Sequence, residues 1–361
     1  MNRFFLLFAV WLTVSVSVNA QIKYYDAAKF PILGKISEKT ETRYERLPAK
    51  LKNVTRPPVW SLGKNTAGLA VRFCTNSTKI AVRWELLNDN TMDHMAMTGI
   101  KGLDLYCLEG DVWTYVNTAR PQKNGKKQEY VVIADMEKKE REFMLFLPLY
   151  DGITSLEIGI DSFAAQITPP KVALPVVGKP IVAYGTSILQ GGCASRPGMV
   201  YTNILMRRLN REFINLGFSG NGQLDYEIAE TMADCDASLY ILDFMPNVTL
   251  QQIKEKTEHF FEIIRNKRPD TPILFVENPI YPPSRFRKVS SEDIKQRNLA
   301  LHGIFTKLRL KGEKNVWLLS SQSMIGNDGE ATVDGIHLTD LGFMRYADYL
   351  RPEIEGFLNG H

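Results

Sequence analysis

The residues best suited to chemistry fall in four short stretches. Asp334-Gly335-Ile336-His337 places a carboxylate three residues before an imidazole, in a loop. Such an acid can hold the ring in one tautomer, and the ring can then take a proton from a hydroxyl. Gly185-Thr186-Ser187-Ile188 offers that hydroxyl, because Gly185 permits a tight turn and Ser187 follows at the mouth of a helix. Serine is also a common helix cap, so this tetrapeptide alone decides nothing. Asn215-Leu216-Gly217-Phe218-Ser219-Gly220-Asn221-Gly222 carries three glycines. A loop of that kind is either a plain turn or backbone brought close enough to donate to an oxyanion. Asp243-Phe244-Met245-Pro246-Asn247 ends on a side-chain amide. That amide can donate to the same oxyanion or close an Asx turn. Of the five histidines, His259 and His302 lie in helical patterns, and only His337 has a carboxylate three residues upstream in a loop.

Two kinds of element must position these groups. From Tyr24 to about Leu174, short apolar runs alternate with turns: 68–73, 80–84, 103–108, 113–117, 130–133, 141–147 and 155–160. Period-two alternation of Val, Thr, Tyr and Phe predicts strands, and seven or more short strands predict a β-sandwich, jelly-roll-like. Pro169, Pro170, Pro175 and Pro180 mark 165–180 as a linker. Beyond it, strands at 181–184, 213–216, 238–244, 272–276 and 315–319 alternate with helices at 199–211, 226–233, 250–266, 292–310 and 339–358. This α/β alternation predicts a five-stranded parallel sheet of flavodoxin-like, doubly wound type, with its site at the carboxyl ends of the strands. The expected division is a leader over 1–20, a β-sandwich over 21–175 and a catalytic domain over 176–361.

Taken in order, these motifs resemble the SGNH hydrolase superfamily, the GDSL-type esterases and lipases. The resemblance implies Ser187 as nucleophile and His337 as base with Asp334 as its partner. It further implies the Ser187 N–H, Gly220 and Asn247 as oxyanion donors. Thr186 stands where the family commonly has Asp, a position outside the catalytic triad. Gly102-Leu103-Asp104-Leu105-Tyr106 is similar to the GxDLY signature of an N-terminal β-domain that precedes some bacterial SGNH esterases. The stretches 191–198 and 334–343 resemble the same subgroup, except that Leu338 replaces an expected Pro. The implied reaction is acyl transfer through an acyl-serine, with no metal or organic cofactor. The implied substrate is an O-acylated carbohydrate, with O-acetyl esters first. A lipid or aryl ester, transfer to a sugar, and a non-catalytic carbohydrate-binding protein are the alternatives. Arg196 is a candidate for a substrate hydroxyl or carboxylate, or for a pairing with an acid of the β-domain. Asp104 and Tyr106 are expected to support the sheet or the domain interface, with direct substrate contact as the alternative; His94 is expected to be a surface residue, with an approach to the cleft from the β-domain as the alternative.

Composition narrows the rest. The hydrophobic fraction of 44% is enough to build a core, which excludes disorder for most of the 361 residues. A net charge of +4 without a basic block argues against nucleic acid as a partner. Arg3, the apolar run from Phe4 to Val18 and the small residues of Val18-Asn19-Ala20 read as a secretory signal peptide. The run is short of the ~20 residues of a spanning helix, so an exported protein without a membrane anchor is expected. Export permits disulfides among Cys74, Cys107, Cys193 and Cys235, but the reading favoured here is four small buried thiols; a Cys74–Cys107 bridge is the alternative. Their spacing matches no zinc motif.

Overall fold

A computed structural model describes residues 21–162, 165–172 and 178–359. The expected leader and Pro175 of the linker lie outside the described residues. The first unit contains β1 (Ile22–Asp26), β2 (Ile32–Leu33), β3 (Ala70–Thr75), β4 (Ile80–Leu86), β5 (Leu103–Glu109), β6 (Val112–Ala119), β7 (Lys127–Ile133), β8 (Arg141–Phe146), β9 (Ile153–Asp161) and β10 (Ile167–Thr168). These form two antiparallel sheets. One runs β1-β9-β4-β7; the other runs β10-β3-β8-β5-β6, with β2 paired to β3.

Alternation along the second sheet explains how it serves two cores. Val71, Phe73, Leu103, Leu105, Phe143 and Leu145 face the first sheet and pack with Val82, Trp84 and Ile158. The intervening residues Ala70, Tyr106, Met144 and Phe146 point the other way and join the core of the second unit. A strand with apolar residues on both faces is a buried layer. The sheet is therefore shared between a sandwich and an α/β unit.

The second unit contains β11 (Ile181–Gly185), β12 (Phe213–Gly217), β13 (Leu239–Asp243), β14 (Ile273–Val276) and β15 (Val316–Leu319). All pairs are parallel, in the order β12-β11-β13-β14-β15. This is the flavodoxin-like order, and the predicted strands fall within a residue or two of the observed ones. Ile181 and Ala183 face one core, Val182 and Tyr184 the other. The long helices Leu250–Lys267, Lys288–Leu310 and Asp340–Leu358 cover the sheet on its two faces.

One stretch escaped the sequence reading. Residues 34–66 make little strand. Leu47, Leu51 and Val59 pack instead into the α/β core beside Val182 and Leu216. Arg46 anchors this stretch: it is 1% exposed and donates to the carbonyls of Asn65, Asn215, Gly217 and Leu62 at 2.7–3.0 Å. Burial lowers its pKa to about 9, opposed by the nearby Tyr150. It thus remains charged at neutral pH. All four cysteines are free thiols. Cys74 lies opposite Glu142 and Cys107 opposite Phe143, so β8 separates them. Two strand spacings of ~4.8 Å put their Cα atoms beyond the reach of a disulfide.

Candidate active site

Each predicted chemical group stands just past the carboxyl end of a strand or ahead of the last helix. β11 ends at Gly185. Thr186 then caps a four-residue helix, Ser187–Gln190, its Oγ1 accepting from the Ile188 N–H. The residue that departs from the family pattern therefore serves as a helix cap. Ser187 is the first helical residue, so its N–H has no intrahelical acceptor and is free to donate. Its hydroxyl lies 2.9 Å from His337 Nε2. On the far side of the ring, His337 Nδ1 lies 2.7 Å from Asp334 Oδ2. The second carboxylate oxygen of Asp334 accepts from the backbone N–H groups of Ile336 and His337, at 3.0 and 2.8 Å. Burial favours the neutral acid, but the His337 ring and those two N–H groups outweigh it and hold Asp334 at about 2. It is ionised across the neutral range and can hold the imidazole with Nδ1 protonated. Nε2 is then the acceptor for the Ser187 proton.

The glycine loop after β12 divides its labour. Gly220 adopts φ +67°, and its N–H has no acceptor among the described residues. Nothing would crowd a Cβ there, so the left-handed backbone is what calls for glycine. Gly222 has the opposite constraint, since a Cβ would sit 2.4 Å from the Gly185 carbonyl. Its N–H donates to Asn247 Oδ1 at 3.1 Å. That bond fixes the Asn247 amide by its oxygen and leaves the amide N–H groups as free donors. Gln190 ties the loop to the nucleophile helix, accepting from the Ser219 N–H at 2.9 Å.

Comparison with known proteins agrees with this architecture. Residues 178–355 match a GDSL-like lipase/acylhydrolase family, and residues 22–166 match the GxDLY family, the N-terminus of SGNH-hydrolase-type esterases. A Bacteroides ovatus protein described as a GDSL-like lipase is 37% identical over 94% of this chain and 98% of its own, with a TM-score of 0.89. The chain belongs to the GDSL-like lipase/acylhydrolase family. This esterase also shares its fold with the salicylyl-acyltransferase SsfX3 of a tetracycline biosynthetic pathway. That protein is 17% identical over 94% of this chain and 98% of its own, with a TM-score of 0.74. A family two carbohydrate esterase from Cellvibrio japonicus is 12% identical over 94% of this chain and 98% of its own, with a TM-score of 0.59. None of the curated proteins matches the chain.

The esterase draws further residues to this site from its first unit. Arg196 lies in the pairing arrangement: its Nη1 donates to Asp104 Oδ2 at 2.8 Å and to the Tyr106 hydroxyl at 2.6 Å. Its guanidinium also stacks on Tyr115. Asp104 takes a second bond from the Gly198 N–H at 2.7 Å. The GxDLY stretch therefore grips the loop that follows the helix Ser187–Gln190. Tyr150, 6% exposed, donates to the Ser187 carbonyl at 3.2 Å. Gly192 is caught between these groups, because a Cβ would lie 2.9 Å from the Tyr150 hydroxyl and 3.0 Å from His337 Cδ2.

Cys193 is the residue that the sequence reading missed, and of the two readings given for His94 the structure shows the approach to the cleft. The His94 ring centroid lies 5.6 Å from that of His337. Cys193 is 7% exposed and holds φ +69°, a conformation costly for a residue with a Cβ. Burial, reinforced by the charge of Asp334, pushes its thiol up to about 12. It is a protonated thiol. Neither residue carried a local motif; only the pairing of two glycines before Cys193 hinted at a crowded turn. A cavity of about 330 Å³ opens beside the triad, lined by Pro246, Tyr281, Arg287, Asp334 and Ile336 among others.

Proposed function

We propose that this protein is an exported serine esterase that removes O-acyl groups, O-acetyl above all, from carbohydrates. The observation that carries the catalytic part is the continuous chain Ser187 Oγ–His337 Nε2 and His337 Nδ1–Asp334, at 2.9 and 2.7 Å. In this reading His337 takes the Ser187 proton as Oγ attacks the ester carbonyl. The tetrahedral oxyanion is met by the N–H groups of Ser187 and Gly220 and by the Asn247 amide. His337 then protonates the departing sugar hydroxyl. Water, deprotonated by the same ring, releases the acid from the acyl-serine. Asp334 stays ionised throughout and steadies the imidazolium.

Three things support the carbohydrate. Family two carbohydrate esterases share the fold, one of them in complex with cellohexaose. A β-sandwich stands directly beside the nucleophile loop. No described helix is long and apolar enough to cross a membrane, while the first twenty residues have the composition of a secretory leader. The SsfX3 likeness keeps acyl transfer in play, since the same acyl-serine can be emptied by an alcohol.

Hydrolysis of p-nitrophenyl acetate, butyrate and octanoate by the mature protein tests the proposal. Acetate is expected to turn over fastest, and a faster octanoate rate would move the substrate to lipids. Adding a sugar alcohol as acceptor separates hydrolysis from transfer: an acylated product would make the protein a transferase.

A further inference from the structure

The ligand atoms of His94, Cys193 and His337 all lie within 4.8 Å of one another. Three residues far apart in sequence, one of them from the first unit, thus form a cluster of two imidazoles and a thiol. Their surroundings match what metal-binding histidines need. His94 Nδ1 lies 3.0 Å from Asp93 Oδ1, and His337 Nδ1 lies 2.7 Å from Asp334 Oδ2. A carboxylate on Nδ1 leaves Nε2 of each ring as the donor, the arrangement commonly found behind zinc-bound histidine. Cys193 is held towards this point by a left-handed backbone that its side chain would not choose.

We propose that His94, Cys193 and His337 bind a soft divalent cation of the zinc class, and that the bound ion switches the esterase off. Tetrahedral zinc with bonds of ~2.0–2.3 Å spaces its ligand atoms about 3.4–3.8 Å apart, so the cluster must close by about 1 Å. His94, on a partly exposed turn, supplies that movement. The ion displaces the Cys193 proton to solvent and is held by one thiolate and two neutral imidazoles, with water at the fourth position. Asp93 and Asp334 offset the remaining positive charge. The lone pair of His337 Nε2 then belongs to the ion, and Ser187 loses its base. The ion would also join the two units across the cleft, since His94 belongs to one and Cys193 and His337 to the other.

The inhibition rests on the serine-esterase reading; the binding does not, and the test separates them. Zinc chloride is titrated into the full chain by calorimetry in two buffers of different ionisation enthalpy, and cobalt chloride is titrated by near-ultraviolet absorbance. One ion per chain, about one proton released and a thiolate-to-cobalt band are expected. At saturation, p-nitrophenyl acetate turnover should fall at least about tenfold and return with EDTA. Cys193→Ser should abolish the cobalt band, and His94→Gln, on the exposed turn, should weaken zinc binding by at least about tenfold. Equal binding in both variants and the parent would overturn the site. Binding lost in both variants but harmless to turnover in the parent would overturn the switch. If the parent hydrolyses no ester, the calorimetry and the cobalt band still decide the site.

Discussion

The parallel sheet and the β-sandwich use polar side chains in contrasting ways. At the ends of β11, β12 and β13, Ser187, Gly220 and Asn247 leave hydrogen-bonding groups unspent, available to a substrate. In the first unit, Arg46, Asp104 and Tyr150 are buried and each extends hydrogen bonds to the second unit. The reactive groups thus come from one unit and much of their restraint from the other. Precise placement is worth a great deal in catalysis, and a strand end followed by a glycine loop does not hold still unaided.

Substitutions can break this comparison at several strengths. The strongest is Ser187→Ala, which should lower kcat on p-nitrophenyl acetate by roughly 10⁴–10⁶. A variant as active as the parent would move the chemistry elsewhere. Asn247→Ala should lower kcat by about 10²–10³ with little change in KM, because an oxyanion donor acts in the transition state. A change confined to KM would make Asn247 a ground-state contact. On the supporting side, Arg46→Met strips four carbonyls of their donor and should cost on the order of 3 kcal/mol, read from the urea midpoint. An unchanged midpoint would show that residues 34–66 merely rest on the α/β unit. The mildest test is electrostatic. Asp243, 2% exposed at the end of β13, is raised by burial to about 7, although the Tyr201 hydroxyl donates to it at 2.7 Å. Between the unfolded value near 3.8 and that value, the folded state keeps a proton that the unfolded chain has lost. The contribution of Asp243 to stability should therefore be full below about pH 4, fall as the pH rises to about 7, and level off above. Asp243→Asn should flatten that slope, with a difference of a few kcal/mol across the window.

The same contrast explains what the sequence could disclose. The strands of the parallel sheet were legible because each is a short apolar run between a helix and a turn. Ser187 and His337 were legible because their strand-end and loop settings are local. The segment 34–66 was not. Leu47, Leu51 and Val59 stand four and eight positions apart, but Pro48, Pro57 and Pro58 break any continuous helix through them, and each fills a gap in a surface built by residues more than a hundred positions later. The helix Met97–Lys101 is a single turn, too short to leave a period. For His94 the sequence left a surface role and an approach to the cleft both open, because its neighbour in space, His337, is 243 positions away.

Arg46 also sets an unequal inheritance across the seam. All four of its acceptors are main-chain carbonyls, which every amino acid supplies. The two bonds that cross to β12 therefore place no demand on which side chains stand at 215 and 217, whereas they do demand a long, forked donor at 46. A graft of the α/β unit onto another partner would have to bring an arginine of matching reach with it.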